Sequence, residues 1–422
     1  MKRAWFYLLL GVVSAIGLSC RTEYEAPVPY DFSDKPGSGK FTSAIRRTVD
    51  GVYAVSNGST EFGNQVALRW TYTHDGVDTV HSLSIFSGVS AGFFSLEINQ
   101  QADSLAVSGF WRKLVNASTG QAHFSLKAKR NGQLLPYTGQ SLESDTLVMD
   151  GYYDTGTGSP QQKMTLTYLR PLNPAPFEII AHRGGGRTSD LLNASENSVR
   201  IIRLASRLGA HGVELDVQYT KDSIPVLYHD NKLNLRLVQK NGLSGTINQY
   251  TYQQLKTFVR LINGEEIPTL EQALQTVVDN TELDFVWLDS KFNGPMARVQ
   301  ALQQRYNERA RQAGRNLRII IGLPSTEAIA SYQGLANKAN TPILCELDTA
   351  TTRGLSANIW APRWTLGPQT DEVNAMKAEG RDVFVWTLDE TQFIEQFIGE
   401  GNFNGILSNY SSIVAYYHYT TQ

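Results

Sequence analysis

The sequence predicts a two-domain α/β protein, in which a (β/α)8 barrel of the TIM type follows an antiparallel β-sandwich or small β-barrel. Three observations support this fold class. Apolar and polar residues alternate with period two between about 41 and 173, as in half-buried strands. From 176 to 422, short apolar strands alternate with helical patterns, and this segment is close to the roughly 250 residues of a typical (β/α)8 barrel. A proline-rich junction separates the two patterns.

The chain begins with a segment that is typical of an export signal. Lys2 and Arg3 precede the apolar run 4–18, which is too short to span a bilayer comfortably but suits the core of a signal peptide. The run leads to Cys20 and resembles the lipobox of bacterial lipoproteins, in which the cysteine is lipidated after cleavage. This resemblance implies a lipoprotein signal peptide over residues 1–20. The alternative is an ordinary secretory signal that happens to contain Cys20.

The segment after the signal is expected to be a flexible tether. Residues 21–40 contain several prolines and glycines, which is typical of such a linker. We therefore expect a lipid on Cys20 to hold the protein on a membrane of the bacterial cell envelope, facing the periplasm or the cell exterior.

Composition excludes several classes of protein. With Lys plus Arg at 38 and Asp plus Glu at 40, the net charge of -2 gives no support for nucleic-acid binding or for a polybasic membrane surface. Two cysteines are too few for a disulfide-dense scaffold or a cysteine-type zinc site. Cys345 lies in an apolar run and is expected to be a small buried side chain. No protein partner is evident from the sequence.

The N-terminal domain, residues 41–173, is predicted to contain about eight short strands. Its apolar positions alternate with polar ones, as at Val66, Leu68, Trp70 and Tyr72. Turn-forming pairs separate such runs: Asn57-Gly58, Asp75-Gly76 and Asn131-Gly132. No group of catalytic side chains occurs here, so the role of this domain is left open between ligand binding, docking and spacing.

A stiff linker follows, marked by Pro171, Pro174 and Pro176, and we expect the domain beyond it, 176–422, to be an independent unit. Strands are predicted there at 177–183, 212–219, 224–229, 284–291, 318–323, 341–347, 358–363, 382–388 and 405–408. Helices are predicted at 197–208, 269–279, 296–313, 326–336, 369–379 and 390–399. Nine strands for eight barrel positions mean that one is spurious or lies outside the barrel. The gap between 216 and 226 is also too short for a helix.

Charged side chains collect where the predicted strands end, which is where functional residues of such barrels lie. They are His182, Arg183, Glu214, Asp216, His229, Asp289 and Lys291. The carboxylates could hold a hard divalent cation through oxygen ligands, and the histidines could move protons at neutral pH. The arginine and the lysine could hold a phosphate. The set therefore predicts cleavage of a phosphodiester.

The order of the motifs resembles that of the glycerophosphodiester phosphodiesterase family. The matching segments are Ala181-His182-Arg183-Gly184, Ser195-Glu196-Asn197-Ser198, Gly212-Val213-Glu214-Leu215-Asp216-Val217, Thr220-Lys221-Asp222, Pro225-Val226-Leu227-Tyr228-His229-Asp230, Ile267-Pro268-Thr269-Leu270-Glu271 and Trp386-Thr387. Each motif is weak alone, but their ordered combination, from about 177 to 410, is strong.

The resemblance implies a barrel enzyme that hydrolyses glycerophosphodiesters to glycerol phosphate and an alcohol with a divalent cation, Mg²⁺ or Ca²⁺. By this resemblance His182 is the catalytic base and His229 the catalytic acid, as in the related phosphatidylinositol-specific phospholipases C. Arg183 and Lys291 would bind the phosphate. The metal ligands that it implies are Glu214, Asp216 and Asp289.

Some positions have weaker or different expectations. Asp289 stands where the family commonly has Glu, one methylene longer, so it could also reach the metal through water. Glu196 is expected to support the site from behind or to start a helix, and Trp386 to line the pocket for a glycerol group or to fill the barrel. His211 is expected to face solvent, and His418 to lie in a tail without partners.

Two alternative functions remain open from the sequence. One is a phosphodiesterase of type D or C that acts on lysophospholipids with the same metal and histidines. The other is a surface protein whose barrel binds without catalysis. Turnover of water-soluble headgroup diesters, compared with long-chain lysolipids, would distinguish these functions.

Overall fold

The structure is a computed structural model. It describes the chain over residues 41, 43–101, 104–115, 118–137, 146–156, 158–291 and 294–422. The predicted signal peptide, the tether and the lipidation site at Cys20 lie outside these residues. Within the described ranges, none of the helices combines the length and the apolar character needed to cross a membrane.

The N-terminal domain is a closed antiparallel barrel, here called the N-terminal barrel. Its strands are β1 (Gly51–Ser56), β2 (Gln65–Asp75), β3 (Asp78–Ser87), β4 (Gly92–Gln101), β5 (Ser104–Lys113), β6 (Thr119–Arg130), β7 (Gln133–Pro136), β8 (Thr146–Thr155) and β9 (Gln162–Arg170). β1 pairs with both β2 and β9, and β5 pairs with β6, so the sheet closes on itself and leaves β7 outside the ring. Of the two predicted architectures, the small barrel is therefore the correct one.

The two faces of its strands have different partners. Inward-facing residues such as Leu83, Val107 and Trp111 form the barrel interior, as the period-two pattern requires. On the outer face of β3 and β4, Phe86 and Phe93 are also fully buried, and they belong to the core of the other domain.

The C-terminal domain is a closed parallel barrel, here called the C-terminal barrel, and it confirms the predicted (β/α)8 class. Its ring consists of β10 (Glu178–Ala181), β11 (Gly212–Tyr219), β13 (Phe285–Ser290), β14 (Arg318–Leu323), β15 (Ile343–Cys345), β16 (Ile359–Trp360), β17 (Asp382–Val385) and β18 (Gly405–Ser408). The ninth predicted strand, β12 (Pro225–Leu227), pairs antiparallel with β11 and lies outside the ring. This hairpin explains the gap that was too short for a helix.

Two short helices belong to the N-terminal domain, one before β1 and one between β1 and β2, and the other helices surround the C-terminal barrel. They are α1 (Ser43–Val49), α2 (Ser59–Phe62), α3 (Val199–Leu204), α4 (Tyr252–Phe258), α5 (Leu270–Asn280), α6 (Met296–Gln312), α7 (Thr326–Gln333), α8 (Thr349–Gly354), α9 (Thr370–Ala378), α10 (Thr391–Glu400) and α11 (Ser411–Thr420). The six predicted helices are confirmed within a few residues, and α3 continues as a 3-10 turn. The start of α5 was predictable from the sequence, because it has a capping box in which the Thr269 side chain accepts a hydrogen bond from the Gln272 amide.

The two barrels pack on each other through one hydrophobic cluster, here called the shared core, in addition to the separate core inside the N-terminal barrel. This packing argues against the expected independence of the C-terminal unit. Phe86 lies against α11, where its ring is 6.4 Å from that of Tyr419. Two ion pairs of 3.1 Å bridge the domains, Arg203 to Asp75 and Arg207 to Glu97. Removing one barrel would therefore expose apolar surface of the other.

The junction between the barrels is held in place by α11. The Asn173 amide donates to the Tyr419 carbonyl over 3.1 Å. The His211 ring is hydrogen-bonded to the Phe177 carbonyl at 2.9 Å and to the Tyr419 hydroxyl at 2.7 Å. His418 is 4% exposed and stacks on Phe177. The expectations of a solvent-facing His211 and an unpartnered His418 were therefore wrong, because α11 was not foreseen.

Candidate active site

A polar cavity of about 350 Å³ lies at the mouth formed by the carboxyl ends of the parallel strands. Its lining includes His182, Arg183, Glu214, His229, Trp287, Asp289, Lys291, Glu346, Arg363 and Trp386. Among the predicted site residues, Asp216 and Glu196 do not line the cavity but lie behind it. A larger cavity of about 620 Å³ lies between the two barrels and contains none of the predicted site residues.

Three carboxylates cluster at the base of the cavity, where Glu214 and Asp289 line it and Asp216 lies directly behind them. Glu214 and Asp216 alternate on β11, and the parallel register places Asp289 of β13 directly beside Asp216. One oxygen from each lies within 4.8 Å of the others, and all three residues are buried. Glu214 Oε1 and Asp289 Oδ1 accept no hydrogen bond from any described residue. These unpaired oxygens fit a hard divalent cation.

The cluster divides its negative charge unevenly. Burial, together with Asp216 and Asp289, raises the pKa of Glu214 well above its usual range. Burial also raises the pKa of Asp289 to about 6, although Lys291 opposes this. For Asp216, burial is outweighed by Lys291 and the two histidines, which hold its pKa at about 2. Asp216 is thus the firmly ionised member, and the other two take up protons readily.

Lys291 neutralises part of this charge. Its Nζ lies 2.6 Å from Asp216 Oδ1 and 3.0 Å from Asp289 Oδ2. Burial acts to lower the pKa of Lys291, but the carboxylates raise it above its usual value, so the ammonium stays charged. A cation that entered the cluster would compete with this ammonium for the same oxygens.

His182 follows β10 and is oriented by an amide. Asn409 Nδ2 donates to Asp389 Oδ2 over 2.6 Å, which turns Asn409 Oδ1 toward His182 Nδ1 at 2.8 Å. An amide oxygen only accepts, so Nδ1 carries the proton and Nε2 keeps its lone pair. Burial, reinforced by Arg183, lowers the pKa of His182 to about 3, so the ring is neutral at pH 7. Nε2 lies 3.7 Å from Glu214 Oε2.

Arg183 joins the two histidine sides of the cavity. Its left-handed backbone, φ 55°, points its N–H at Glu214 Oε2 over 2.8 Å. Its guanidinium donates to Glu196 Oε1 and contacts His229 Nε2, each at 2.9 Å. Gly185 is required beside it, because a Cβ there would lie 2.4 Å from the Ile201 side chain. The glycine run therefore lets this turn pack on α3.

His229 has a carboxylate behind it rather than an amide. Its Nδ1 lies 2.6 Å from Asp230 Oδ1, and Arg236 donates to the same carboxylate over 2.7 Å. Because arginine only donates, the Arg183 contact leaves Nε2 as an acceptor in this structure. Burial lowers the pKa of His229, while Asp216 and the Asp230 hydrogen bond oppose that shift.

Glu196 lies behind Arg183 and outside the carboxylate cluster. It is 2% exposed, accepts from the Thr188 amide at 2.7 Å and pairs with Arg236 at 3.1 Å. The neighbouring Asn197 donates to Asp216 Oδ2 over 2.7 Å. The Ser-Glu-Asn segment therefore orients an arginine and a carboxylate of the site.

Trp386 forms one wall of the cavity. Its indole N–H donates to the Ala361 carbonyl over 2.8 Å, and the Arg363 guanidinium lies 4.6 Å from the ring centroid. Glu346 follows β15 on the same side, and burial raises its pKa, as does Asp289. The wall thus combines an aromatic face with an arginine and a carboxyl.

Several residues of the site were not predicted. They are Asp230, Arg236, Glu346, Arg363, Asp389 and Asn409. Glu346 and Asn409 each come directly after a short apolar strand, and a polar residue at a strand end is also what identified Asp289. Arg236 had no such signal, because it lies in a long loop that only the tertiary fold brings over Glu196.

Residues 182–411 match the sequence profile of the Glycerophosphoryl diester phosphodiesterase family. Human Glycerophosphodiester phosphodiesterase 1 is 33% identical over 149 residues, which are 33% of this chain and 41% of that protein. The Glycerophosphodiester phosphodiesterase of Caldanaerobacter subterraneus subsp. tengcongensis is 25% identical over 242 residues, 55% of this chain and 93% of that protein. The chain thus spans about two fifths of the human relative and nearly all of the bacterial one.

Solved structures with the same description are also similar. A glycerophosphodiester phosphodiesterase from Parabacteroides distasonis covers 56% of this chain and 93% of its own, with 27% identity and a TM-score of 0.43. One from Thermotoga maritima covers 56% and 96%, with 18% identity and a TM-score of 0.43.

Proposed function

The chain belongs to the glycerophosphoryl diester phosphodiesterase family, and on that premise we propose that it hydrolyses glycerophosphodiesters to glycerol phosphate and an alcohol with the help of a divalent cation. One observation carries the proposal. His182 and His229 line one cavity with Glu214 and Asp289, and Asp216 completes the buried carboxylate triad directly behind them. Two proton-transfer groups beside a cation site are what the displacement at a phosphodiester needs.

His182 acts as the general base in this proposal. It is neutral at pH 7, and Asn409 holds the proton on Nδ1, so the Nε2 lone pair is available. An amide oxygen stabilises the imidazolium form less than a carboxylate would. The protonated His182 therefore gives up its proton readily after the base step.

His229 acts as the general acid. Asp230 contacts its Nδ1 directly and therefore stabilises the imidazolium form. In the substrate complex Arg183 turns from Nε2 to the phosphate, which frees Nε2 to carry the proton for the departing alcohol. Lys291 binds the same phosphate, and Trp386 contacts the glycerol group from the wall of the cavity.

The cation is Mg²⁺ or Ca²⁺ in this proposal. All three ligands offer oxygen, which suits these hard ions better than Zn²⁺. Asp289 directly adjoins Asp216, so its shorter side chain still belongs to the triad. When bound, the cation supplies a positive charge that stabilises the developing charge on the phosphate oxygens.

The proposal also covers the location of the enzyme. A lipid on Cys20 would anchor it to a membrane of the bacterial cell envelope, facing the periplasm or the exterior, and residues 21–40 would give the barrels reach. Replacing Cys20 with Ser should abolish incorporation of labelled palmitate and release the protein into the soluble fraction. Persistent labelling would contradict the anchor.

Release of glycerol phosphate from a panel of diesters tests the reaction. Glycerophosphocholine and glycerophosphoethanolamine should be cleaved with Mg²⁺ or Ca²⁺ and spared in chelator, whereas long-chain lysolipids should not be preferred. Asp216→Asn should abolish release, and Glu271→Gln should not, because Glu271 forms an exposed pair with Arg305 far from the triad. Turnover by a rigorously metal-free sample, or none with any headgroup diester, would disprove the proposal.

A further inference from the structure

A buried arginine of the N-terminal barrel contacts a loop of the C-terminal barrel that carries active-site residues. Arg112 is 1% exposed although it lies on β5, a strand of the other domain. It stands on the outer face of that strand, beside Phe93 of β4 in the antiparallel register. Its Nη2 donates to the Asp190 carbonyl over 2.9 Å.

The segment that Arg112 contacts carries the first part of the site. Residues 182–198 connect β10 to α3, and we call them the β10–α3 loop. The loop begins with His182 and Arg183 and ends with Glu196 and Asn197. Leu192 and Ala194, in its middle, are buried in the core that both barrels share.

Hydrogen bonds connect Asp190 of this loop to the segment that directly follows the last barrel strand. Its carboxylate accepts from the Arg187 amide at 3.0 Å and from Arg187 Nη2 at 3.1 Å. Arg187 in turn donates to the Tyr410 hydroxyl over 2.8 Å. Tyr410 is the neighbour of Asn409, the residue that orients His182.

The same loop is linked to the phosphate side. The Thr188 amide donates to Glu196, which holds the guanidinium of Arg183. Gly186 is packed closely between Asn409 and Asp190. A Cβ at this position would lie 3.2 Å from the Asn409 carbonyl and 3.7 Å from Asp190 Oδ2. A shift of the loop at Asp190 would therefore move partners of both His182 and Arg183.

We propose that Arg112 is a positioning residue for the active site, so that the N-terminal barrel completes the catalytic barrel rather than merely accompanying it. The inference rests on the proposed function for its catalytic consequence, but the anchoring of the loop is independent of the reaction. Arg112 neither lines the cavity nor belongs to the carboxylate triad, and its hydrogen bond to the Asp190 carbonyl is the contact that links it to the loop.

Arg207 provides a matched control. It is also an arginine at the domain interface, and it pairs with Glu97 of the N-terminal barrel at 3.1 Å. It lies in the turn after α3, away from the β10–α3 loop. Arg207→Met therefore removes an interdomain contact of an arginine, here with a carboxylate, without loosening the loop.

The test compares Arg112→Met with Arg207→Met in the full chain. Amide hydrogen exchange of peptides covering 187–197 should accelerate in the Arg112 variant only. On glycerophosphocholine, kcat should fall roughly 10- to 100-fold in that variant with little change in KM, since misplaced catalytic groups slow the chemical step. The Arg207 variant should keep kcat within about twofold, as expected for a residue outside the machinery.

The outcomes separate the two proposals. Unchanged exchange of the loop in Arg112→Met, or an equal loss of kcat in both variants, would overturn the positioning role. If the parent protein cleaves no diester, the proposed function fails, and the exchange experiment alone decides whether Arg112 anchors the loop. Should Arg112→Met not fold, Arg112→Lys keeps the charge and should show the same two changes to a smaller degree.

Discussion

At the scale of single residues, the two histidines are supported in opposite ways. His182 Nδ1 faces an amide that is itself fixed by Asp389, whereas His229 Nδ1 faces the carboxylate of Asp230 directly. A carboxylate favours the protonated ring and an amide does not. The asymmetry therefore supports the proposed roles of His229 as the acid and His182 as the base.

The choice of leaving group should reveal this division of roles. On glycerophosphocholine, alanine at either histidine should cost a factor of roughly 10²–10⁴ in kcat. On a diester with an acidic phenol as leaving group, His229→Ala should be largely rescued, because such a group needs little protonation. His182→Ala should not be rescued. Rescue of the His182 variant alone, or equal rescue of both, measured as kcat/KM ratios, would reverse or remove the assignment.

The carboxylate triad should make the effect of metal depend on pH. Folding raises the pKa of Asp289 from 3.8 to about 6, and that of Glu214 also rises. The unfolded chain therefore ionises first, and the native state loses stability as pH rises through this range. Above pH 6 a bound cation offsets the loss of stability that the ionised carboxylates cause. At pH 5 the cation must first displace protons from these carboxyl groups. A cation at 100 times its Kd stabilises the fold by about 2.7 kcal/mol.

Melting temperatures with and without Mg²⁺ or Ca²⁺ measure this effect. The rise in Tm should be clearly larger at pH 8 than at pH 5. Asp289→Asn removes one of the carboxyl groups whose pKa is raised. It should therefore reduce the difference between the rise in Tm at pH 8 and the rise at pH 5. An equal rise in Tm at both pH values would show that the triad is not the binding site.

At the scale of elements, strand positions were predictable and several helices were not. Short apolar runs located all eight ring strands, because burial on both faces leaves a continuous signal. α11 was missed since Ser411–Thr420 is rich in β-branched and aromatic residues, which have low intrinsic helix propensity. It is helical because both barrels pack on it, and such tertiary packing has no local signal.

The site shows the same limit. Residues at the carboxyl end of an apolar strand, such as Asp289, were found from the sequence, and Glu346 could have been. Arg236 and Arg112 could not, because each approaches the site from a distant segment. The closed form of the N-terminal barrel was also ambiguous, since period-two strands fit a sandwich as well as a barrel.

Close pairing of β4 and β5 gives a prediction about an element. A Cβ at Gly109 would lie 2.1 Å from the Ser95 carbonyl and 3.0 Å from Leu96 Cα. Gly109→Ala should therefore force the strands apart and destabilise the fold by about 1–3 kcal/mol. Gly354→Ala is the control, because no atom lies within 4 Å of its Cβ position at the end of α8. Thermal melts should show a fall for the first variant alone; equal melting temperatures would refute the close approach.

At the scale of the whole molecule, the shared core predicts that the C-terminal barrel is less stable alone than in the complete protein. A chain starting at Ala175 uncovers Tyr419 of α11, whose ring lies 6.4 Å from that of Phe86 in the complete protein. Losing about 3 kcal/mol of apolar burial lowers Tm by roughly 6–12 °C at 2–4 °C per kcal/mol. Calorimetry against a chain starting at residue 41 measures this. An unchanged Tm with full activity would restore the independent unit expected from the proline-rich linker.

The order of synthesis gives the packing of α11 a further consequence. The Ser412 hydroxyl contacts the Ala91 carbonyl, although 321 positions of chain separate them. At 5–20 residues per second, the N-terminal barrel leaves the ribosome on the order of tens of seconds before the helix that covers it. Its outer phenylalanines stay exposed for that whole interval. A messenger RNA that is truncated before the codons for α11 would therefore yield an aggregation-prone fragment and not a smaller active enzyme.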